Sequence, residues 1–406
     1  MTPKFRRVLP PVASLIDCES LFHGFLGIFR PKVYSEKLDR ELSQEFGVRH
    51  VFKVSSGKAA MTVILQALRQ LAPERSEVVV PAYTCYSVPS AILKAGLVPV
   101  PCDVKVGEFN FDPVELAKLV GERTLCVVPC HLFGMPADLA AVISVCREKN
   151  VFLVEDAAQA MGIESASGVK LGTQGDVGFF SLGRGKNVTC GSGGIIVTNE
   201  EEIAEKLAAK YARLGESSFF GNLFSYLKVV LQNWFVRPFL FWIPAGIPSL
   251  KLGETLFYPD FPITRMSGSD SGLMLNWRKR LMQSNCVRQR NGVFFAGQLG
   301  MGEAVDGRLP FLRFPVLTAS QTQKDWLMSR PEACELGLSG MYPKGIDSIV
   351  EIRSLLRGRV CLAARDVADR LVTIPTHEFL TDDDREKICQ LVGEALKVNP
   401  CLSPDP

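Results

Sequence analysis

Lys186 stands among glycines in the segment Ser181-Leu-Gly-Arg-Gly-Lys186, and upstream of it Glu155 and Asp156 close the apolar run Val151–Val154. A primary amine and a buried carboxylate in one pocket suit one chemistry in particular. The amine condenses with the aldehyde of pyridoxal 5'-phosphate as a Schiff base, and the carboxylate keeps the pyridine nitrogen protonated so that the ring acts as an electron sink. Taken alone, either residue reads as a solvated side chain or half of a surface ion pair. Their order singles them out: carboxylates ending a strand, a lysine in a glycine loop, then Gly191-Ser-Gly-Gly194 and a second apolar strand, Ile195–Thr198.

The elements that must position these groups follow from periodicity. Val151–Val154 is short, apolar and rich in β-branched and aromatic residues, as in a buried strand. A carboxylate at the C-terminal end of a parallel strand faces the crevice where open α/β sheets bind ligands. From His50 onward, strand patterns at Val51–Val54, Val78–Val80, Val98–Pro101 and Leu125–Pro129 alternate with helical ones at Ala59–Leu71, Val88–Ala95, Pro113–Val120 and Leu139–Lys149. Such alternation predicts an α/β fold with a mainly parallel sheet covered on both faces. Ser55-Ser-Gly-Lys58 joins the first strand to its helix, and backbone N–H groups at a helix start bind anions, which makes Gly57 and Lys58 phosphate-binding candidates. It is not a P-loop, because the first glycine is missing and Ala59 follows the lysine. Lys58 reads equally well as a point charge on the phosphate or as a solvated side chain. Pro81-Ala-Tyr-Thr-Cys-Tyr86 forms the next strand-to-helix turn.

Three segments carry a family resemblance: EDAAQA at 155–160, GD-x-x-FFSLGRGKN at 175–187, and the GSGG that follows. They resemble the DegT/DnrJ/EryC1/StrS family, whose members are fold-type I aminotransferases acting mostly on nucleotide-linked keto sugars. The resemblance covers residues 45–215 well and the C-terminal part more loosely. It implies a pyridoxal-phosphate large domain with a smaller α/β C-terminal domain, a homodimer, and amino transfer from an amino acid, expected to be glutamate, to a keto sugar. It also implies that Lys186 carries the cofactor, Asp156 supports the pyridinium, Gln159 bonds the phenolic oxygen and Ser181 contacts the phosphate.

The chain departs from the family pattern in places. Lys58 stands where a phosphate-binding threonine is usual. Cys85 replaces the ring that commonly stacks on the pyridine, so that Tyr83 or Tyr86 compensates or no ring stacks. Ile263 replaces an asparagine that reaches the neighbouring subunit's cofactor. His131, in a segment like the family's VHLYGQPAD, and His377, near one like LPLHPGLSEED, are candidates to border the cleft or, equally, structural histidines. Two rival classes stay open: another lyase or dehydratase on this fold, and a non-catalytic regulatory protein that retained it. Relatives that dehydrate sugars carry histidine at the lysine position, which Lys186 argues against.

Composition bounds the rest. The chain has 406 residues, 47% hydrophobic and 22% charged, with a net charge of +3. That is enough for about two domains of ~100–200 residues each, and too little charge to imply nucleic acid. Its twelve cysteines are scattered without metal-ligand spacing, as expected of reduced thiols in a cytoplasmic protein. Prolines 10 and 11 interrupt the N-terminal apolar run, so no secretory signal is read there. The domain reading is an N-terminal arm at 1–45 packed through an apolar stripe, a cofactor-binding domain at 46–218, an apolar insertion at 219–262, and a connecting helix with a small domain at 263–406. The aromatic stretch 219–248 is interrupted by Lys228, Arg237 and three prolines, too broken to span a bilayer. It reads first as a subunit contact and second as a peripheral membrane contact.

Overall fold

The computed structural model describes residues 7–250, 255–301, 306, 308–356 and 358–399. Two helices come first. In α1 (Cys18–Phe29) the Asp17 carboxylate accepts from the Ser20 N–H at 2.7 Å, an N-cap. α2 (Pro31–Phe46) opens on a proline, whose fixed φ suits a first helical position, and ends at Gly47 with φ of 63°. The alternating region follows: β1 (His50–Val54), α3 (Gly57–Leu71), β2 (Glu77–Pro81), α4 (Ser87–Lys94), β3 (Val98–Cys102), α5 (Pro113–Leu119), β4 (Thr124–Val127), α6 (Leu139–Lys149), β5 (Phe152–Asp156), β6 (Val177–Ser181), β7 (Gly194–Thr198) and α7 (Glu201–Ala212).

These seven strands form one sheet in the order β1-β7-β6-β5-β4-β2-β3. The pairs from β3 through β6 are parallel, while β7 runs antiparallel to both β6 and β1. Alternate residues feed opposite faces. Val78, Val80, Val154 and Phe179 pack with α3, α4 and α7, whereas Val79, Val127 and Leu153 pack with α5 and α6. Phe180, Ile195 and Val197 pack with α2 on that second side. Both faces are therefore dry, which explains why the strands read as near-continuous apolar runs.

Beyond the sheet come α8 (Phe219–Phe235), α9 (Pro238–Ala245), α10 (Gly268–Leu273) and α11 (Trp277–Gln298). The remaining elements are β8 (Arg313–Leu317), α12 (Gln321–Met328), α13 (Pro331–Glu335), α14 (Leu362–Arg370), β9 (Leu371–Pro375) and α15 (Asp382–Lys397). β8 and β9 pair antiparallel under the last helices as a small α/β unit. The sequence predicts one helix over Lys324–Leu336; Pro331, which has no N–H to donate, divides it into α12 and α13. The start of α15 follows expectation, with Thr381 and Asp384 forming a reciprocal capping box.

The N-terminal arm corrects one expectation. Its apolar stripe packs only in part: Ile16 is buried and Leu21 lies against the core, whereas Phe22 and Phe29 are more than half exposed. The packing face is the glycine side of α1, where Gly24 and Gly27 meet Gly268, Gly272 and Leu273 of α10 so closely that a Cβ would overlap a neighbour. Ahead of α1, three buried donors clamp the extended segment by its carbonyls. Arg288 Nη2 donates to Ala13 at 2.8 Å, His377 Nε2 to Pro10 at 2.8 Å, and Arg313 Nη1 to Pro11. Among the described residues all eleven cysteines are free, and no group of side chains has the makings of a metal site.

Candidate active site

The alternation of β5 gives its two terminal carboxylates opposite tasks. Glu155 turns away from the crevice. Its Oε2 accepts from the Gly172 N–H at 2.9 Å, its Oε1 from the Gly175 N–H at 2.6 Å, and it also takes the Gln174 N–H, so it organises the turn ahead of β6. Burial opposes its charge, but His131 and these N–H groups hold its carboxyl below the usual range. His131 Nδ1 accepts from the Ala137 N–H at 3.0 Å. The proton of a neutral ring must then sit on Nε2, which donates to Glu155 Oε2 at 2.9 Å. Both side chains are fully buried, so this histidine is a structural partner of Glu155.

Asp156 faces the other way, and its Oδ1 accepts from the Ala158 N–H at 3.0 Å. Burial pushes its carboxyl above the usual value, against the pull of that N–H group and of the Lys186 ammonium. Lys186 lies on the β6–β7 loop, half-buried. Among the described residues its ammonium has no hydrogen-bond partner and no carboxylate within ion-pair distance, yet its charge is felt at both Asp156 and Cys130. The structure thus brings the amine and the acid near one another without joining them.

A cradle lies at the start of α3. Ser56 Oγ accepts from the Ala59 N–H at 3.1 Å, so the helix is capped from within. A Cβ on Gly57 would lie 2.9 Å from Ser181 Cβ and 3.1 Å from its Oγ, so only glycine lets this serine approach the first helical turn. Gly194 likewise leaves no room for a Cβ beside the Ser56 carbonyl. Helix N–H groups and the Ser181 hydroxyl therefore share one concavity of the kind that holds anions. The Lys58 ammonium sits 4.5 Å from the centre of the Phe261 ring, and burial lowers its pKa. Ile263 packs on the core beside the cradle, where Ser55 N–H donates to the Thr264 carbonyl at 2.9 Å.

The two tyrosines of the 81–86 turn act as fasteners. Tyr83 donates its hydroxyl to the Tyr342 carbonyl at 3.4 Å and Tyr86 donates to the Lys344 carbonyl at 3.2 Å, while the Ile346 N–H reaches the Ala82 carbonyl at 2.8 Å. These bonds seat a strap from the C-terminal part over the turn and drive Tyr342 into the core, 5% exposed. Gln159 Nε2 donates to the Tyr342 hydroxyl at 3.1 Å, and Gln159 Oε1 accepts from the Phe133 N–H at 3.2 Å. Tyr342 lies beside Cys85 and Cys130, the second of which also neighbours Asp156 and Lys186. Sequence reasoning missed Tyr342; its sole local signal is an aromatic inside the turn-rich run Gly340-Met-Tyr-Pro-Lys-Gly345, where Met341 adopts a φ of 50°.

Two further polar residues lie apart. Asp138 occupies the N-cap position of α6, but its carboxylate caps nothing and instead faces Lys105 Nζ at 3.5 Å. His377 is held among Pro10, Phe379 and the buried arginines, and burial lowers its pKa to about 3, which keeps it neutral.

With this geometry in hand, comparison with known proteins is decisive on one point: residues 27–221 match an established family. The match is to the DegT/DnrJ/EryC1/StrS aminotransferase family. The matched span runs from the end of α1 to the start of α8 and contains every proposed cofactor contact. Among curated relatives, a pleiotropic regulatory protein of Geobacillus stearothermophilus is 33% identical over 174 residues, 43% of this chain and 46% of that protein. GDP-perosamine synthase of Caulobacter vibrioides is 32% identical over 171 residues, 42% of this chain and 45% of the relative. The chain spans about half the length of the curated relatives it matches. The solved structure of Helicobacter pylori PseC, an aminotransferase involved in pseudoaminic acid biosynthesis, covers 96% of this chain and 99% of its own, at a TM-score of 0.77 and 17% identity. At that identity the likeness concerns the fold, which is fold-type I. The mainly parallel seven-stranded sheet of this chain is that architecture.

Proposed function

We propose that this chain is a pyridoxal-phosphate aminotransferase of the DegT/DnrJ/EryC1/StrS family that moves nitrogen from an amino acid, expected to be glutamate, to a keto sugar carried on a nucleotide. The reading rests on one observation above all: an unpartnered lysine ammonium and a fully buried aspartate share a crevice beside a glycine–serine cradle. These residues fit the cofactor at three points, its aldehyde, its ring nitrogen and its phosphate. When bound, the cofactor supplies the electron sink that lets a proton leave the substrate carbon.

The chain's own residues do the rest. Asp156 as a carboxylate holds a protonated ring nitrogen; burial, which works against its charge in the empty crevice, then strengthens that pairing. Gly57, the first turn of α3 and Ser181 Oγ hold the phosphate, with the Lys58 ammonium adding a nearby charge. Lys186 Nζ would hold the cofactor and, once freed, would carry the proton from the substrate carbon to the cofactor carbon that bore the aldehyde, as a general base. Tyr83 and Tyr86 position the strap that closes the crevice from above. Dimerisation is part of the reading by resemblance to the family, with Ile263 removing one contact that relatives make to a neighbouring subunit.

The test is reduction with borohydride after incubation with pyridoxal 5'-phosphate, followed by peptide mapping. A label on Lys186 is expected, and a label on any other lysine would overturn the assignment. Formation of 2-oxoglutarate from glutamate with a panel of nucleotide keto sugars then tests the substrate class. A second reading, a regulatory protein that keeps the fold without turnover, draws support from Tyr342, which already occupies the Gln159 amide. A purified chain that stays colourless and unlabelled with excess cofactor would favour it.

A further inference from the structure

Every exposed phenylalanine and tryptophan among the described residues lies on α1, α8 or α9. On α8 the outward residues Phe220, Phe224, Leu227, Leu231 and Trp234 are 79%, 73%, 51%, 58% and 57% exposed and form one unbroken stripe. The helix has no freedom to roll this stripe inward, because polar pegs fix its other side. Asn233 accepts from the Ile16 N–H at 2.9 Å and donates to the Ile16 carbonyl at 3.0 Å, and Tyr226 donates to the Leu21 carbonyl at 3.1 Å. Val229 fits against Gly191 on the loop that carries Lys186. The exposed face is thus the one the fold specifies.

We propose that this face docks on an anionic lipid bilayer, with α8 lying in the plane of the surface. Two observations choose the occupant. The first is width: α1 continues the stripe sideways, with the Phe29 and Phe219 rings 5.8 Å apart and Phe25 against Tyr226 at 6.0 Å, so the face is a plate two helices wide where a single partner helix would cover only a seam. The second is charge: residues 217–253 contain Lys228, Arg237 and Lys251 and no aspartate or glutamate. An isologous pairing of two copies through α8 would set Lys228 and Arg237 against their counterparts with no acid of this stretch to meet them, whereas an anionic lipid surface complements them. Arg237 stacks on the Trp234 ring at 5.2 Å, which places a cation beside an aromatic anchor as interfacial helices do. None of the helices in the described residues is long and apolar enough to cross a bilayer, so the contact is peripheral. This inference does not depend on the proposed chemistry, although it would bring the lysine loop close behind the lipid-facing helix.

Flotation with vesicles tests it, using pure phosphatidylcholine and phosphatidylcholine mixed with phosphatidylglycerol. The full chain is expected to float with the mixed vesicles, less so as salt rises, and with a blue shift of tryptophan emission. Combined Phe220→Ser, Phe224→Ser and Leu231→Ser should abolish flotation while circular dichroism and oligomeric state stay unchanged. Lys228→Gln with Arg237→Gln should weaken binding about 10- to 30-fold at the mixed vesicles, from ~1 kcal/mol per basic residue. Equal binding to both vesicle types would overturn the electrostatic half of the proposal. Absence of flotation would overturn it whole, and if the triple serine variant then also turned an oligomer into a monomer, the face would belong to a second copy.

Discussion

Tyr342→Phe probes the one place where the empty site and the proposed cofactor compete. In the structure the Tyr342 hydroxyl accepts from Gln159 Nε2 at 3.1 Å, and the family resemblance gives the same amide to the cofactor's phenolic oxygen. Where the cofactor oxygen takes the N–H now given to Tyr342, binding breaks a buried neutral hydrogen bond whose net worth is about 0.5–1.5 kcal/mol. Removing the hydroxyl frees the amide beforehand and leaves ring packing against Tyr83 nearly intact. Affinity should rise by the same energy, about 2- to 10-fold. The suitable ligand is pyridoxine 5'-phosphate, an alcohol that cannot bond covalently to Lys186, titrated by calorimetry against wild type and variant. The cofactor-free variant should also melt slightly lower, with ligand restoring the difference. Unchanged or weaker binding by a well-folded Tyr342→Phe chain would refute the idea that the two hydroxyls share one donor.

Four further outcomes are expected. Lys186→Ala should lose the borohydride-stable label and about 10²- to 10⁴-fold of turnover. Burial raises the Asp156 pKa, so cofactor affinity should fall as pH drops through that raised value; Asp156→Asn, measured by the same calorimetry, should bind more weakly and lack this acid limb. His377 has a folded pKa of about 3 against an ordinary 6.5, so the stability it contributes is complete above pH 6.5 and is lost as pH falls towards 3. That window is worth at most ~5 kcal/mol, and His377→Gln should flatten it in melting curves recorded against pH. Gly272→Ala, whose Cβ would overlap the His23 carbonyl on α1, should cost ~1–3 kcal/mol by denaturant unfolding, whereas Gly393→Ala in α15, with open space around it, should be neutral or slightly stabilising.

Much of the sheet was legible because its strands are buried on both faces and its connections are helices, so period and composition changed together at each boundary. The direction of Asp156 was legible for a related reason: it ends a strand, where topology fixes direction without knowledge of packing, and Lys186 follows on the loop after β6. Glu155 needed only the alternation of the strand to be assigned away from the site. Tyr342 was hidden because its position depends on three hydrogen bonds between segments far apart in the chain, a relation that no local pattern carries. The outward stripe of α1 was misread for a comparable reason. An apolar stripe usually marks the buried side of a helix, but here Gly24 and Gly27 supply a closer fit than any phenylalanine, and the rings were left outside.

The carbonyl clamp on residues 10–13 bears on how the protein is made. Arg288, Arg313 and His377 are translated long after the segment they grip, so its earliest residues must wait, tethered but undocked, until ribosomal synthesis reaches the last quarter of the polypeptide. Because Val12 braces Gly185, the loop bearing Lys186 gains its final support only then, and a nascent chain stalled short of residue 377 would carry this lysine on an unfinished scaffold.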